Sequence, residues 1–391
     1  MPKQIIKGFI SQIRGVSYKP TDVVDAENGT PIIRANNIQD DGMIYDDLVF
    51  VAQQKIKDNQ LLKKGDIVIC TSSGSKNLVG KATTFSGYKT DMSFGAFCKV
   101  VRISSSSVNP DYIRLFFKSK TYREQISASS TGANINNIKT DHIDNLIINI
   151  PPVETQNIAV RELSTLIKSI SIKKQQLSAL NELVKSRFIE MFVEKGFKEI
   201  TFSDYAEIID GDRGKNYPKA EEFSDEGYCL FLSAKNVTKD GFLFEQMQFI
   251  SEEKDNLLRK GKLCRGDIVI TTRGTIGNIA FYDDDIPYDN VRINSGMVII
   301  RQKEVSFNQI FFLNAFKNKI DEIKETNVTG AAQPQLPIHI MSKIKLLNPP
   351  IELQNEFADF VKLIDKSKFI VQKQIDDLQE LLDSKMDEYF G

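Results

Sequence analysis

The sequence predicts a mixed α/β protein: two copies of one α/β domain, each followed by a long helix, with the two helices pairing as an antiparallel coiled coil. Three observations carry this. Short motifs recur in order: Gly65-Asp66-Ile67-Val68-Ile69 as Gly266-Asp267-Ile268-Val269-Ile270, Thr131-Gly132-Ala133 as Thr329-Gly330-Ala331, and Pro151-Pro152-Val153-Glu154-Thr155-Gln156-Asn157 as Pro349-Pro350-Ile351-Glu352-Leu353-Gln354-Asn355. The offset is 201 residues for the first and 198 for the others, as a small loop deletion would leave. Each half mixes short β-branched apolar runs with a helical stretch, and each ends in a long segment with an apolar heptad. A period near 200 is far too long for a solenoid and means a duplicated domain with pseudo-two-fold character.

The expected boundaries are 1–150 for the first α/β domain, 151–195 for the first helix, 196–348 for the second domain and 349–391 for the second helix. In the first domain Asp66 to Cys70, Phe97 to Val101 and Leu146 to Ile150 read as buried strands. Asp267 to Thr271, Gly296 to Ile300 and Ile344 to Leu347 are their counterparts. Between the last two strands of each set lies a helix, at Pro110 to Phe117 and Asn308 to Leu313. Pro151-Pro152 stops a strand, because proline donates nothing to a ladder and disfavours helix just before it.

The segment that follows, to about Lys195, holds neither Gly nor Pro. Leu163, Ile170, Leu177, Val184 and Met191 recur every seventh residue, with Leu166 and Leu180 between them. Phe357, Ile364, Val371 and Leu378 repeat the pattern, with Phe360 and Leu381 in support. Some 40 residues of helix extend about 60 Å, too long to bury the stripe on one small domain. Connectivity then predicts antiparallel pairing with the domains at opposite ends.

The bulk numbers describe an ordinary globular chain: 391 residues, 41% hydrophobic and 26% charged. No run of about 18 apolar residues exists to span a membrane, and the N-terminus has no apolar leader core, so a cytoplasmic location is expected. Cys70, Cys98, Cys229 and Cys264 form no Cys-x-x-Cys, and only His142 and His339 could join them, so no metal site and no cofactor is expected. The cysteines read as buried structural thiols. Net charge is −1, but unevenly spread. Residues 1–150 carry 19 Lys and Arg against 14 Asp and Glu, whereas 196–348 carry 20 against 23. Only a clustered basic face would matter for nucleic acid.

This ordered set of motifs, present twice, resembles the specificity subunit of type I restriction–modification systems. The similarity also covers Arg273-Gly274-Thr275-Ile276-Gly277 and Thr329-Gly330-Ala331-Ala332-Gln333-Pro334-Gln335-Leu336. It implies two target-recognition domains, each reading half of a split double-stranded DNA site. It also implies two helices that space the domains and dock two methyltransferase subunits, with restriction and translocase subunits reached through the complex. The subunit itself is non-catalytic in that family. The copies depart from each other: Ser72 to Gly80 is longer than Arg273 to Gly277, and Thr131 to Asn137 lacks the Gln-Pro-Gln of the second copy. Such differences suit an asymmetric site.

Base reading needs Arg for guanine and Asn or Gln for adenine, while Ser, Thr and Lys serve phosphate. The first domain offers Arg14, Tyr18 and Lys19, then Arg34, Asn36 and Asn37, then Ser72, Ser73, Ser75 and Lys76, then Asn134, Asn136, Asn137 and Lys139. The second offers Arg213, Lys215 and Tyr217, then Ser233, Lys235 and Asn236, then Thr272, Arg273 and Thr275, then Gln333 and Gln335. Each could equally be a turn-former or a solvated loop residue; their recurrence at matching positions favours function.

Other chemistries fit poorly. Gly74 to Lys81 lacks the Ser or Thr that must follow the lysine of a phosphate loop. Asn348-Pro349-Pro350-Ile351 lacks the aromatic on which an amino-methyltransferase stacks its flipped base. Asp66 and Asp267 read as turn residues before strands. Two rival readings remain: a methyltransferase or restriction enzyme with its own catalytic site, and a coiled-coil interaction scaffold.

Overall fold

The computed structural model describes residues 3–39, 42–73, 78–130, 137–274, 276–303, 307–327 and 336–391. The chain divides into two compact units. One comprises Met1–Lys174 with Gln372–Gly391, the other Gln175–Val371. Both are mixed α/β.

In the first unit an antiparallel sheet runs Ile10–Arg14, Cys98–Ile103, Ile67–Cys70, Ala82–Thr84 across its width. In the second the same order recurs as Ala206–Asp210, Met297–Gln302, Asp267–Thr271, Ile279–Tyr282. A smaller sheet joins Val49–Ala52, Gly29–Ile33 and Ser93–Phe94 in one unit, and Phe249–Ile250, Cys229–Leu232 and Val291–Ile293 in the other. The expected duplication is therefore a duplication of topology. These small sheets, unread in the sequence, complete each domain.

The unbroken apolar runs follow from burial on both faces. Ile268 and Ile270 join a core with the helices, while Val269 between them joins a second core with the small sheet. The aspartate before each strand has one job in both copies. Asp66 accepts the Lys63 N–H at 2.8 Å and the Arg102 fork at 2.8 and 2.6 Å. Asp267 accepts the Cys264 N–H at 2.7 Å and the Arg301 fork at 2.9 and 2.7 Å. The glycines before them, Gly65 and Gly266, have φ of 95° and 92°, a left-handed backbone that a side chain would strain. Cys70, Cys98 and Cys229 are buried as expected, but Cys264 is exposed, because it lies in the turn before the strand.

The long helices span Val153–Phe188, with a π-helical extension at Ile189–Val193, and Ile351–Phe390. Each begins with the same joint. The Gln156 side chain, 1% exposed, donates to the Pro151 carbonyl at 2.8 Å and accepts the Asn109 N–H at 2.8 Å. Asn157 accepts from the Asn109 side chain at 2.7 Å, and Asn109 caps the helix Pro110–Phe116 by accepting the Asp111 N–H. Gln354, Asn355 and Asn308 repeat these contacts at 2.9 Å, with Pro349 and Ile310. The Pro-Pro-x-Glu-x-Gln-Asn motif is thus a clamp on the cap of the domain's own helix.

Within the first unit, the start of the first long helix meets the end of the second. Tyr389 donates to Glu162 at 2.8 Å, and the Phe390 ring lies 4.8 Å from that of Tyr112. Within the second unit, the end of the first long helix meets the start of the second: the Phe188 and Phe357 rings are 5.5 Å apart, and Arg187 pairs with Glu356 at 3.3 Å. The pairing runs in the opposed sense predicted.

Leu163, Ile170, Val184, Phe357, Ile364 and Val371 are buried; Leu177, Leu180 and Leu378 are half-buried. Leu381 is a correction: it is 47% exposed, and Leu382 takes the seam position at 9%. The intermediate row of the second helix lies four residues, not three, beyond the Phe357 row, at Val361, Ile375 and Leu382. Applying the 198-residue offset to Val184 points to Leu382. Among the described residues no helix is long and apolar enough to cross a membrane.

Candidate nucleic-acid interface

In each domain one turn gathers the candidate loops. In the first domain it is Gly95-Ala96-Phe97, between strands Ser93–Phe94 and Cys98–Ile103. Gly95 N–H donates to the Ile33 carbonyl and Val16 N–H to the Phe94 carbonyl, both at 2.8 Å. The Phe97 carbonyl accepts from Thr71 N–H at 2.8 Å, Thr71 Oγ1 at 3.0 Å and Ser72 N–H at 3.2 Å. Ile138 N–H in turn donates to the Thr71 carbonyl at 2.7 Å. A Cβ on Gly15 would lie 2.0 Å from the Gly95 carbonyl oxygen, so only glycine lets that backbone pass. Loops 14–19, 34–37, 71–73 and 137–139 thereby converge on residues 95–97.

The second domain repeats the wiring around Asn294-Ser295-Gly296. Asn294 N–H donates to Leu232 at 3.0 Å, Thr272 donates to the Gly296 carbonyl through N–H at 2.9 Å and Oγ1 at 3.0 Å, and Leu336 N–H donates to Thr272 at 3.3 Å. A Cβ on Gly211 would sit 2.2 Å from the Asn294 oxygen. Here Arg213 reaches across to the Ser295 carbonyl at 3.2 Å.

The sequence candidates divide on this frame. Arg14, Lys19, Asn36, Asn137 and Lys139 are exposed in the first domain, as are Arg213, Lys215, Lys235 and Arg273 in the second. Ser72, Ser73 and Tyr18 are half-buried, the Tyr18 ring lying beside Gly95. Arg34 is held by an ion pair to Asp47 at 2.7 Å, and Arg213 also pairs with Asp210 at 3.1 Å.

Five candidates serve the scaffold instead. Asn37 is fully buried: its oxygen accepts the Arg34 N–H at 2.9 Å and its amide donates to Asp46 at 3.0 Å. Asn236, 2% exposed, accepts from Ser233 at 2.9 Å and donates to Leu243 and Gln246 at 3.1 and 2.9 Å. Neither amide has an edge left for a base. Thr272 is buried in the wiring described above, and Tyr217 packs edge-on against Phe231 at 5.7 Å. Ser233 bonds Asn236 through its hydroxyl as well, at 3.0 Å. Ser75, Lys76, Asn134, Asn136, Thr275, Gln333 and Gln335 lie outside the described residues.

Sequence reasoning missed the hub itself. Phe97, read there as the start of a buried strand, is 67% exposed on the turn, and the strand begins at Cys98. Its partner in the second copy is Gly296, since Cys98 and Met297 hold the same sheet position opposite Cys70 and Thr271. Gly95, two residues upstream of Phe97, was the available signal for a turn.

The family model described as "Type I restriction modification DNA specificity domain" matches residues 10–182 and again 194–380. The chain is 41% identical over 175 residues to the StySPI specificity subunit of Salmonella potsdam and 40% identical over the same length to the EcoKI specificity subunit of Escherichia coli K12. Each match takes in 44% of this chain and 37% of the relative, so the matched part spans little more than a third of those proteins. The MjaVIII specificity subunit of Methanocaldococcus jannaschii is 24% identical across 96% of this chain and 88% of its own length. Among solved structures, the S subunit of M. genitalium superposes with a TM-score of 0.51 at 16% identity, covering 100% of this chain and 96% of that one. A chain from a structure of type I R-M complex assembly gives 0.53 at 14% identity, with 97% of each covered. At these identities the structural likeness is one of fold.

Proposed function

The chain belongs to the type I restriction modification DNA specificity family, and from that premise we propose that it is the DNA sequence-recognition subunit of a type I restriction–modification complex, reading one half of a split asymmetric site with each domain. The observation that carries this is the pair of loop clusters. One backbone frame is built twice, and what it presents differs: Ser72 and Phe97 in one, Arg273 and Gly296 in the other. Exposed cations flank both, as phosphate contacts require, while the side chains at the hub differ as two words require. On this reading residues 1–150 and 196–348 are the reading domains and 151–195 and 349–391 the spacer.

The subunit supplies recognition and no chemistry of its own. Methylation and cleavage come from partner subunits docked along the long helices, where Leu363, Phe369 and Ile370 leave 63%, 73% and 56% of their surface exposed. Unpartnered apolar side chains of that size on a helix suit a protein contact. A spacing of about one turn of B-DNA, roughly 34–36 Å, between the two words would put both on one side of the duplex.

Methylome sequencing of cells with and without the gene tests the proposal. The expected result is loss of methylation at one bipartite motif with unlike halves and a fixed gap. A methylome unchanged by the deletion, or loss at a continuous palindrome, rejects it.

A further inference from the structure

The ring of Phe97 is largely exposed. It sits at the hub of the first cluster with 67% of its surface exposed, while Phe94, three residues earlier, is fully buried. Three hydrogen bonds hold its carbonyl, so the turn that presents the ring is braced. Exposed Arg14, Lys19 and Lys139 stand on loops tied to that turn, and the first domain carries the basic balance of the chain. An exposed apolar ring with cations on the neighbouring loops suits a partner that is polyanionic outside and flat and apolar within: a nucleic-acid base stack.

We propose that Phe97 is an aromatic wedge that stacks at an opened base step within the word read by the first domain, a contact that Gly296 cannot make in the second. The first word is then recognised partly through the ease with which one step unstacks, and the second is read without this term. This rests on the reading of the domains as DNA-recognition heads.

The chain contains no Trp, so Phe97→Trp in the full chain, without methyltransferase subunits, gives a single indole at the proposed contact. The probe is a duplex carrying the motif found by methylome sequencing, with 2-aminopurine placed at successive positions. Three results are expected. Saturating duplex quenches the indole. 2-Aminopurine brightens at one step of the first word and at none of the second. Phe97→Ala abolishes that brightening and weakens binding roughly tenfold or more, the range of one stacked base, with an unchanged unfolding midpoint. If the parent binds the motif but Phe97→Ala binds equally well, or the indole responds only when methyltransferase subunits are added, the wedge is rejected while the recognition reading stands. If the parent shows no salt-dependent binding to the motif, both fall.

Discussion

The two α/β domains share their sheet order, their Asp–Arg fork and their helix clamp, yet they differ where a strand of the small sheet passes the hub. In the second domain that strand carries Arg292, 5% exposed, whose fork pairs with Asp255 and caps the carbonyls of Lys260, Asp255 and Leu258. Lys262 adds a second ion pair to Asp255 at 2.6 Å. In the first domain the same register position is Ser93, whose hydroxyl donates to the Gln60 carbonyl at 2.8 Å. One fold has solved one packing problem with a buried charge network and with a single hydroxyl. The frame constrains where backbone goes and leaves the interior chemistry of each copy free to diverge, as it does at the surface.

The largest effect that would sharpen this contrast is at Asp255. Asp255→Ala strands the Arg292 charge and is expected to cost about 3–5 kcal/mol, whereas Ser93→Ala loses one neutral hydrogen bond, about 0.5–1.5 kcal/mol. Chemical denaturation of both variants measures the difference, and equal losses would break the comparison. Acidity should discriminate too. Burial alone would raise the Asp255 carboxyl, but hydrogen bonds from Lys262 and Arg292 hold it below its ordinary 3.8. Its contribution is therefore present above that pH and lost as pH falls through the lower folded value. Acid titration should show that dependence in the parent and its absence in Asp255→Ala.

Next come the seams. Val184 and Leu382 are equivalent by the repeat offset and both buried, while Leu183 and Leu381 beside them are each 47% exposed. Leu382→Ala is expected to cost roughly 2–5 kcal/mol, and Leu381→Ala no more than about 0.5 kcal/mol, as at other surface positions. The reverse ranking in a thermal or denaturant melt would restore the three-residue phase.

Much of this was legible in the sequence for identifiable reasons. The strands Ile67–Cys70 and Asp267–Thr271 declare themselves because burial on both faces demands unbroken apolar runs, and the helices because nothing interrupts their heptads. The loops that gather at the turns were legible at Ser72 and Arg273, each two residues beyond the end of its strand. Asn37 and Asn236 were misread because an asparagine that closes a turn and one that reads adenine look alike until its partners, seven to ten residues away, are in place. Phe97 was misread because its side chain is itself apolar and runs on into the strand, so that Gly95 alone marks the turn. Leu381 and Leu382 show that two adjacent leucines leave helical phase undecided unless the repeat is used to decide it.

Smaller effects test the reading surface. Arg273→Ala should cost about 1–3 kcal/mol at one position of the second word if it contacts a guanine, leaving the first word untouched. Competition binding with single-base variants of each word measures this, and an even loss over both words would make Arg273 a phosphate contact. Smallest is Lys139→Ala, which should weaken binding uniformly across sequences and reduce the salt slope by about one. A slope unchanged within error would remove Lys139 from the interface.

The clamp at the head of each long helix carries a further consequence. Gln156 and Asn157 grip Asn109 just as Gln354 and Asn355 grip Asn308. Each domain therefore meets its helix through the same keyed socket, made of one amide pair and one asparagine, and independent of every residue at the reading turns. A domain from another chain that brings an asparagine at this cap would seat in the same orientation on either helix. If the domains read DNA as proposed, replacing a whole domain would change the word without disturbing the mounting, so new specificities could arise by recombination at the socket and need not accumulate through substitutions that pass through an unreadable intermediate.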